Sequence, residues 1–141
     1  MTAVVVDASV VAKWFIPERD HEAARALRDD YLAGDRSLLA PALLPYEVVN
    51  ALHYSGQYAG DRLVAAAVTL PDYGIDLRSF RDGGDIAAMA TAADVTVYDA
   101  AYLALGRARD ATVYTADERL LDRLEDTEYD GLAAHIRTYG A

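Results

Sequence analysis

Four acidic residues stand apart from the other charges of this 141-residue sequence. Each lies in, or directly follows, an otherwise uncharged stretch of the chain. They are Asp7 in 1–12, Glu47 in 37–60, Asp99 in 95–106, and Asp117 after 111–116. Burying a lone carboxylate is costly unless a partner offsets its charge, so an acid in an apolar stretch indicates a partner.

A cluster of these acids would need positive charge. Two carboxylates about 5 Å apart repel by ~3 kcal/mol at an effective dielectric constant of 20. Four together cost on the order of 10 kcal/mol, comparable to the stability of a whole domain. Protons or cations must therefore offset the repulsion. An all-oxygen donor set suits Mg²⁺ or Mn²⁺, so convergence of the four acids predicts a divalent cation site.

Each acid also has a purely structural explanation. Asp7 could cap the helix that follows it, and Asp117 could do the same for a later helix. Glu47 could pair with a buried arginine, and Asp99 could complement a helix dipole in a first turn. The positions favour convergence, because Asp7 and Asp117 both follow β-rich runs directly. The other two lie near the starts of helices that follow extended segments.

The elements that must position these acids alternate along the chain. Strands are predicted at 3–6, 37–40, 75–80, 111–114 and 135–139. Helices are predicted after a Ser9 cap through Phe15, and at 20–33, 45–54, 61–70, 84–93, 98–109 and 116–125. Strands separated by helices form right-handed βαβ units, so the predicted fold is α/β with a mostly parallel sheet. In such sheets the site lies at the carboxyl ends of the strands.

The composition excludes several classes of protein. The sequence contains no cysteine, which excludes a disulfide framework, a thiolate zinc site and a cysteine nucleophile. Its length predicts a single domain over 1–141. It has no basic leader and no run of about 20 apolar residues, so we expect a cytoplasmic protein without a membrane span.

The charge balance is strongly acidic. There are 23 acids against 13 bases, a net charge of −10. This argues against a broad basic surface for nucleic acid, but not against a local site that holds cations. Of the acids 17 are Asp, and Lys13 is the only lysine, which predicts a halophilic source. The alternative is an ordinary acidic protein from a GC-rich genome.

Four segments of the chain contain these acids, namely VVVDASVVAKWF at 4–15, PYEVVNAL at 45–52, YDAAYLAL at 98–105 and TADERL at 115–120. In this order the segments resemble the acidic motifs of PIN-domain proteins. Each motif alone is weakly specific, but four in order across nearly the whole chain are strongly specific. Within that family the segments look like those of the VapC toxins of type II toxin–antitoxin pairs.

The resemblance implies a three-layer α/β/α sandwich and an endoribonuclease that depends on Mg²⁺ or Mn²⁺. In such an enzyme, water activated by the metal hydrolyses RNA phosphodiester bonds. The resemblance makes the four acids both catalytic residues and metal ligands. It also implies polar neighbours that orient the carboxylates, namely Ser9, Asn50 and Thr115.

Expectations about RNA and partners are less direct. Three basic residues are candidate RNA contacts, namely Lys13, Arg107 and Arg119, although Lys13 could instead pair with a surface acid. The acidic surface favours single-stranded or loop RNA, recognised by shape and stacking. The resemblance implies a homodimer and a cognate antitoxin. Two alternatives stay open, an RNA-processing nuclease outside such a pair and a non-catalytic PIN module that binds RNA or a partner.

Two other phosphate-handling folds with an acid after the first strand fit poorly. A haloacid-dehalogenase-type phosphatase needs a second Asp two residues after the first, where this sequence has Ser9. A response-regulator receiver needs a late lysine, and the only lysine here is Lys13.

Overall fold

The structure is a computed structural model that describes residues 2–141. Within those residues the strands are β1 Thr2–Val6, β2 Arg36–Pro41, β3 Asp76–Arg78, β4 Thr112–Thr115 and β5 Ala133–His135. The helices are α1 Ala8–Phe15, α2 His21–Leu32, α3 Leu44–Tyr54, α4 Asp61–Thr69, α5 Gly83–Ala93, α6 Val97–Arg109 and α7 Glu118–Leu124. Short 3₁₀ turns follow α4 and β5, at Leu70–Tyr73 and Ile136–Thr138.

The five strands form one parallel sheet in the order β3-β2-β1-β4-β5. The chain winds outward from β1 through β2 to β3, then returns to the other side of β1 with β4 and β5. Right-handed crossovers place α1–α4 on one face and α5–α7 on the other. This three-layer α/β/α arrangement confirms the predicted fold class. The strand order reverses between β1 and β4, the point at which ligands bind in open α/β sheets.

The core lies where β1 is covered on both faces. Val5 and Val6 have no exposed surface, as expected for a central parallel strand built from a continuous apolar run. Trp14 of α1 is also buried, and its indole N–H donates to the carbonyl of Ala24 in α2 at 2.9 Å. Within residues 2–141, no helix combines the length and the apolar character that a bilayer crossing requires.

The start of α1 differs from the prediction. Ser9 was expected to cap this helix, but the helix begins at Ala8 and Asp7 occupies the capping position. The Asp7 side chain makes no capping hydrogen bond. The Ser9 prediction is wrong because its hydroxyl donates to Asp7 and accepts from the backbone of Ala116 instead. The side chains of Asp7 and Ser9 therefore bond each other instead of capping the helix.

The last strand is also displaced from its predicted position at 135–139. It runs over Ala133–His135 and pairs in parallel with β4 at the sheet edge. The next three residues form a 3₁₀ turn because the His135 ring accepts a hydrogen bond from the Arg137 N–H at 3.1 Å. The predicted position of this strand at the sheet edge is confirmed. The strand ends at His135, however, which is where it was predicted to begin.

The contact between α6 and β4 yields a stability prediction. A Cβ added at Gly106 would lie 2.6 Å from Cγ2 of Val113 and 2.8 Å from the carbonyl oxygen of Ala111. We expect Gly106→Ala to lower the free energy of unfolding by about 1–3 kcal/mol, because a crowded core must shift. Urea denaturation measures this change.

The matched control is Gly84→Ala, where the added Cβ would point into open space. Alanine favours the helix there, so we expect a gain of up to about 1 kcal/mol. Equal stability for the two variants would contradict the packing described for α6.

Candidate active site

Asp7 is a buried carboxylate at the carboxyl end of β1, with 8 % of its surface exposed. The hydroxyls of Ser9 and Thr115 donate to the same oxygen, Oδ2, at 2.5 and 2.9 Å. The Ala116 N–H donates to the Ser9 hydroxyl at 2.9 Å, and the Asp117 N–H to the Thr115 hydroxyl at 3.1 Å. These bonds fix the segment after β4 against the start of α1.

Asp117 caps α7. Its Oδ1 accepts hydrogen bonds from the N–H groups of Arg119 at 3.0 Å and Leu120 at 3.2 Å. The structural explanation considered for this acid is therefore observed. Its other oxygen, Oδ2, accepts no hydrogen bond from residues 2–141, so the cap leaves half of the carboxylate available.

Glu47 lies in the first turn of α3, and its Oε1 accepts a hydrogen bond from the Tyr102 hydroxyl at 2.8 Å. The alternative of a buried arginine partner is wrong, since no arginine of residues 2–141 pairs with Glu47. Sequence reasoning missed Tyr102, which is 1 % exposed and joins α6 to α3 at the site. Its position three residues after Asp99 was the available signal, because residues at that spacing share a helix face.

Asp99 lies in the first turn of α6. The Thr96 side chain caps this helix by accepting a hydrogen bond from the Asp99 N–H at 3.0 Å. The cap and the turn fix the backbone that carries the carboxylate. Asp99 therefore lies at the positive end of the α6 dipole, which is the structural explanation considered for this acid.

The four acids form one electrostatic group. Burial raises the pKa of Asp7 above its usual range, and the charge of Asp117 raises it further, against the lowering effect of its hydrogen bonds. Burial likewise raises the pKa of Glu47, to which the charges of Asp7 and Asp99 add. The pKa of Asp99 is raised by burial and then by Asp7 and Asp117. The four acids singled out in the sequence therefore lie near enough for their charges to influence one another.

No cation of residues 2–141 forms an ion pair with this group. None of the ion pairs within residues 2–141 involves any of the four acids. Arg119 and Arg123 line a depression of about 400 Å³ that also contains Asp99 and Asp117. Arg123 pairs with Asp94 at 3.0 Å, which leaves Arg119 as the nearby arginine without an ion pair in the described chain.

The chemistry of this donor set fits a hard divalent cation. All four side chains offer carboxylate oxygens, the ligands that Mg²⁺ and Mn²⁺ prefer. Like-charged neighbours without a protein counter-ion would gain from such an ion. However, no three acids or histidines within residues 2–141 are grouped closely enough to hold a metal as they stand. Three of the four carboxylates, those of Asp7, Glu47 and Asp117, accept hydrogen bonds from protein groups, so the acids are neighbours rather than a preassembled set of ligands.

The three predicted polar neighbours lie at the site. Ser9 and Thr115 both contact Asp7, as described above. Asn50 is exposed and lines a depression of about 450 Å³ together with Glu47. The same depression contains two exposed tyrosines that sequence reasoning did not single out, Tyr46 and Tyr98.

The three basic residues predicted to contact RNA lie in different environments. Lys13 is buried, and its ammonium donates to Glu18 at 3.2 Å and to the carbonyl of Arg19 at 2.6 Å. This is the paired state considered as the alternative to phosphate binding. The Arg107 guanidinium lies over the ring of Tyr129, 5.8 Å from its centroid. Of the three, only Arg119 shares a depression with the acids.

Comparison with known proteins identifies the family. The sequence profile of the PIN domain matches residues 4–126. The match spans most of the chain, so the chain belongs to the PIN domain family. Proteins of this family are generally nucleases.

Two solved structures share the fold. PAE2754 from Pyrobaculum aerophilum is 20 % identical, covers 97 % of this chain and 85 % of its own, and superposes with a TM-score of 0.68. FitAB bound to an IR36 DNA fragment is 16 % identical, covers 95 % of each chain, and has a TM-score of 0.66. No curated protein matches the sequence significantly.

The buried carboxylate yields a prediction of pH dependence. The pKa of Asp7 is higher in the folded protein than in the unfolded chain, so the folded state binds more protons between the two values. Stability therefore falls as the pH rises through that window. We expect Asp7→Asn to be more stable than the native protein at pH 7, by on the order of 1 kcal/mol or roughly 3 °C in Tm.

This advantage should shrink as the pH falls through the raised pKa of Asp7, because the native carboxyl then becomes protonated. Thermal unfolding at several pH values measures the difference, with the exposed Asp130→Asn as control. An Asp7→Asn variant that is less stable than the native protein at pH 7 would contradict the electrostatic account.

Proposed function

We propose that this protein is a metal-dependent endoribonuclease and the toxin of a type II toxin–antitoxin pair. The observation that carries the proposal is the group of four neighbouring carboxylates that form no ion pair with any cation of residues 2–141. Structural explanations account for single acids in this group, since Asp117 caps a helix and Asp99 lies in a first turn. They do not account for the burial of Asp7 beside three like charges.

The residues that would hold the cation are Asp7, Glu47, Asp99 and Asp117. A bound Mg²⁺ or Mn²⁺ supplies a Lewis acid, which makes water a better nucleophile and offsets charge on the attacked phosphate. The protein's own groups orient the ligands. The Ser9 and Thr115 hydroxyls favour the ionised form of Asp7, and the Tyr102 hydroxyl does the same for Glu47.

The toxin assignment rests on the resemblance of the four acidic segments to the VapC subgroup. The structural likeness to FitAB bound to DNA supports the idea of a PIN domain that works within a larger assembly. On this proposal the protein is a cytoplasmic homodimer, and a cognate antitoxin blocks the acids. A PIN nuclease of RNA processing shares the same chemistry and differs only in partner and substrate.

A cleavage assay tests the activity. End-labelled structured RNAs are incubated with the protein in Mn²⁺, Mg²⁺ or EDTA at several KCl concentrations. We expect cleavage only with a divalent cation, leaving 5′-phosphate and 3′-hydroxyl ends, because water attacks the phosphorus. Asp99→Asn should lower the rate by at least about 100-fold, since loss of a ligand exceeds the effect of losing a ligand's neighbour.

The matched control is Asp110→Asn, at the other end of α6. Asp110 is exposed and adopts a left-handed conformation that asparagine tolerates. Cleavage that resists EDTA, or that survives Asp99→Asn, would contradict the proposal. Products with 2′,3′-cyclic phosphate would also contradict it, because they arise from attack by the RNA's own 2′-hydroxyl.

A further inference from the structure

The ten tyrosines of the chain fall into two groups. Eight of them are engaged through a hydroxyl hydrogen bond or a ring contact. Those that donate a hydrogen bond are Tyr31, Tyr58, Tyr102 and Tyr139. Those whose rings contact an aromatic ring or an arginine are Tyr54, Tyr73, Tyr114 and Tyr129. Within residues 2–141, Tyr46 and Tyr98 make neither kind of contact.

These two tyrosines lie at equivalent points of the active site. Tyr46 directly precedes Glu47 in the first turn of α3, and Tyr98 directly precedes Asp99 in the first turn of α6. Their exposed fractions are 80 % and 62 %, so neither ring contributes much to the core. Both line the same depression with Glu47 and Asn50, although they come from helices more than 40 residues apart in sequence.

The chemistry of this depression suits a nucleobase rather than a phosphate. Among the described residues no arginine or lysine lines it, and Glu47 repels anions. Aromatic rings bind bases through their π-faces, and an amide such as that of Asn50 can hydrogen-bond a base edge. A phosphate would find positive charge in the other depression, which Arg119 and Arg123 line together with Asp99 and Asp117.

We propose that Tyr46 and Tyr98 form a stacking subsite for an unpaired base of the RNA strand next to the acids. The inference rests on the proposed nuclease function and names how its substrate is held. Stacking depends little on salt, whereas phosphate contacts weaken as salt rises. In a protein with a net charge of −10, stacking on these rings therefore adds affinity for RNA that the negative charge does not reduce.

The test measures binding rather than cleavage. The probe is a single-stranded oligoribonucleotide of about eight nucleotides, a length typical of such sites, carrying fluorescent 2-aminopurine. Asp99→Asn serves as the parent protein, because it lacks one acid and should not cut the probe. We expect the parent to quench the fluorescence, and Tyr46→Ala or Tyr98→Ala to weaken binding about tenfold each and to reduce the quenching.

Two comparisons make the test specific. Tyr46→Phe and Tyr98→Phe keep the ring and should retain both affinity and quenching. Tyr54→Ala is the matched control, since Tyr54 is on the same helix as Tyr46 and is 78 % exposed, but its ring contacts His53 outside the depression. Its substitution should leave binding unchanged.

Three results would overturn the subsite. Unchanged affinity in both alanine variants would remove the tyrosines from RNA binding, while metal-dependent cleavage by the native protein would leave the nuclease intact. Failure of the parent to bind the probe would contradict a single-stranded substrate held in this way. Alanine variants that change the mass of the protein in light scattering, but not RNA binding, would assign the rings to a protein interface instead.

Discussion

The carboxylate of Asp7, buried at the switch point of the sheet, is the constraint on which the rest of the site depends. Two hydroxyls bind one of its oxygens, and those hydroxyls in turn accept backbone N–H groups from the segment after β4. One acid thereby fixes the start of α1 against the carboxyl end of β4. The same hydrogen bonds fix the backbone of Asp117, because its N–H donates to the Thr115 hydroxyl.

Around Asp7 the fold accepts an electrostatic penalty that a purely structural protein would avoid. Burial and like charges raise the pKa of three of the four acids, and no ion pair in the described chain relieves them. Active sites commonly hold such unfavourable arrangements, which the rest of the structure stabilises. Here the sheet and the packing of α6 against it supply that stability, and a divalent cation would remove the penalty. The same four carboxylates therefore cause the repulsion and would hold the cation that the proposed activity needs.

The fold and the four acids were predictable because the signals are local. Apolar runs, helical spacing and isolated charges reveal the parallel sheet and the residues that lie at its carboxyl edge. The pairing of Tyr102 with Glu47 was not predictable, because it joins residues 55 positions apart across two helices. The capping role predicted for Ser9 is wrong because α1 already begins at Ala8, and the Ser9 hydroxyl bonds Asp7 instead of the helix end. The halophilic source and the homodimer stay predictions, since neither depends on contacts within one chain.

Direct titration with Mn²⁺, followed by electron paramagnetic resonance of the free ion, tests the central claim. The account predicts saturable binding to the native protein, competition by Mg²⁺, and loss of the binding in Asp7→Asn and Asp99→Asn but not in Asp110→Asn. Each of the first two variants removes one negative charge from the group of four acids. Absence of binding to the native protein, or equal binding to all four proteins, would contradict a cation site built from these carboxylates.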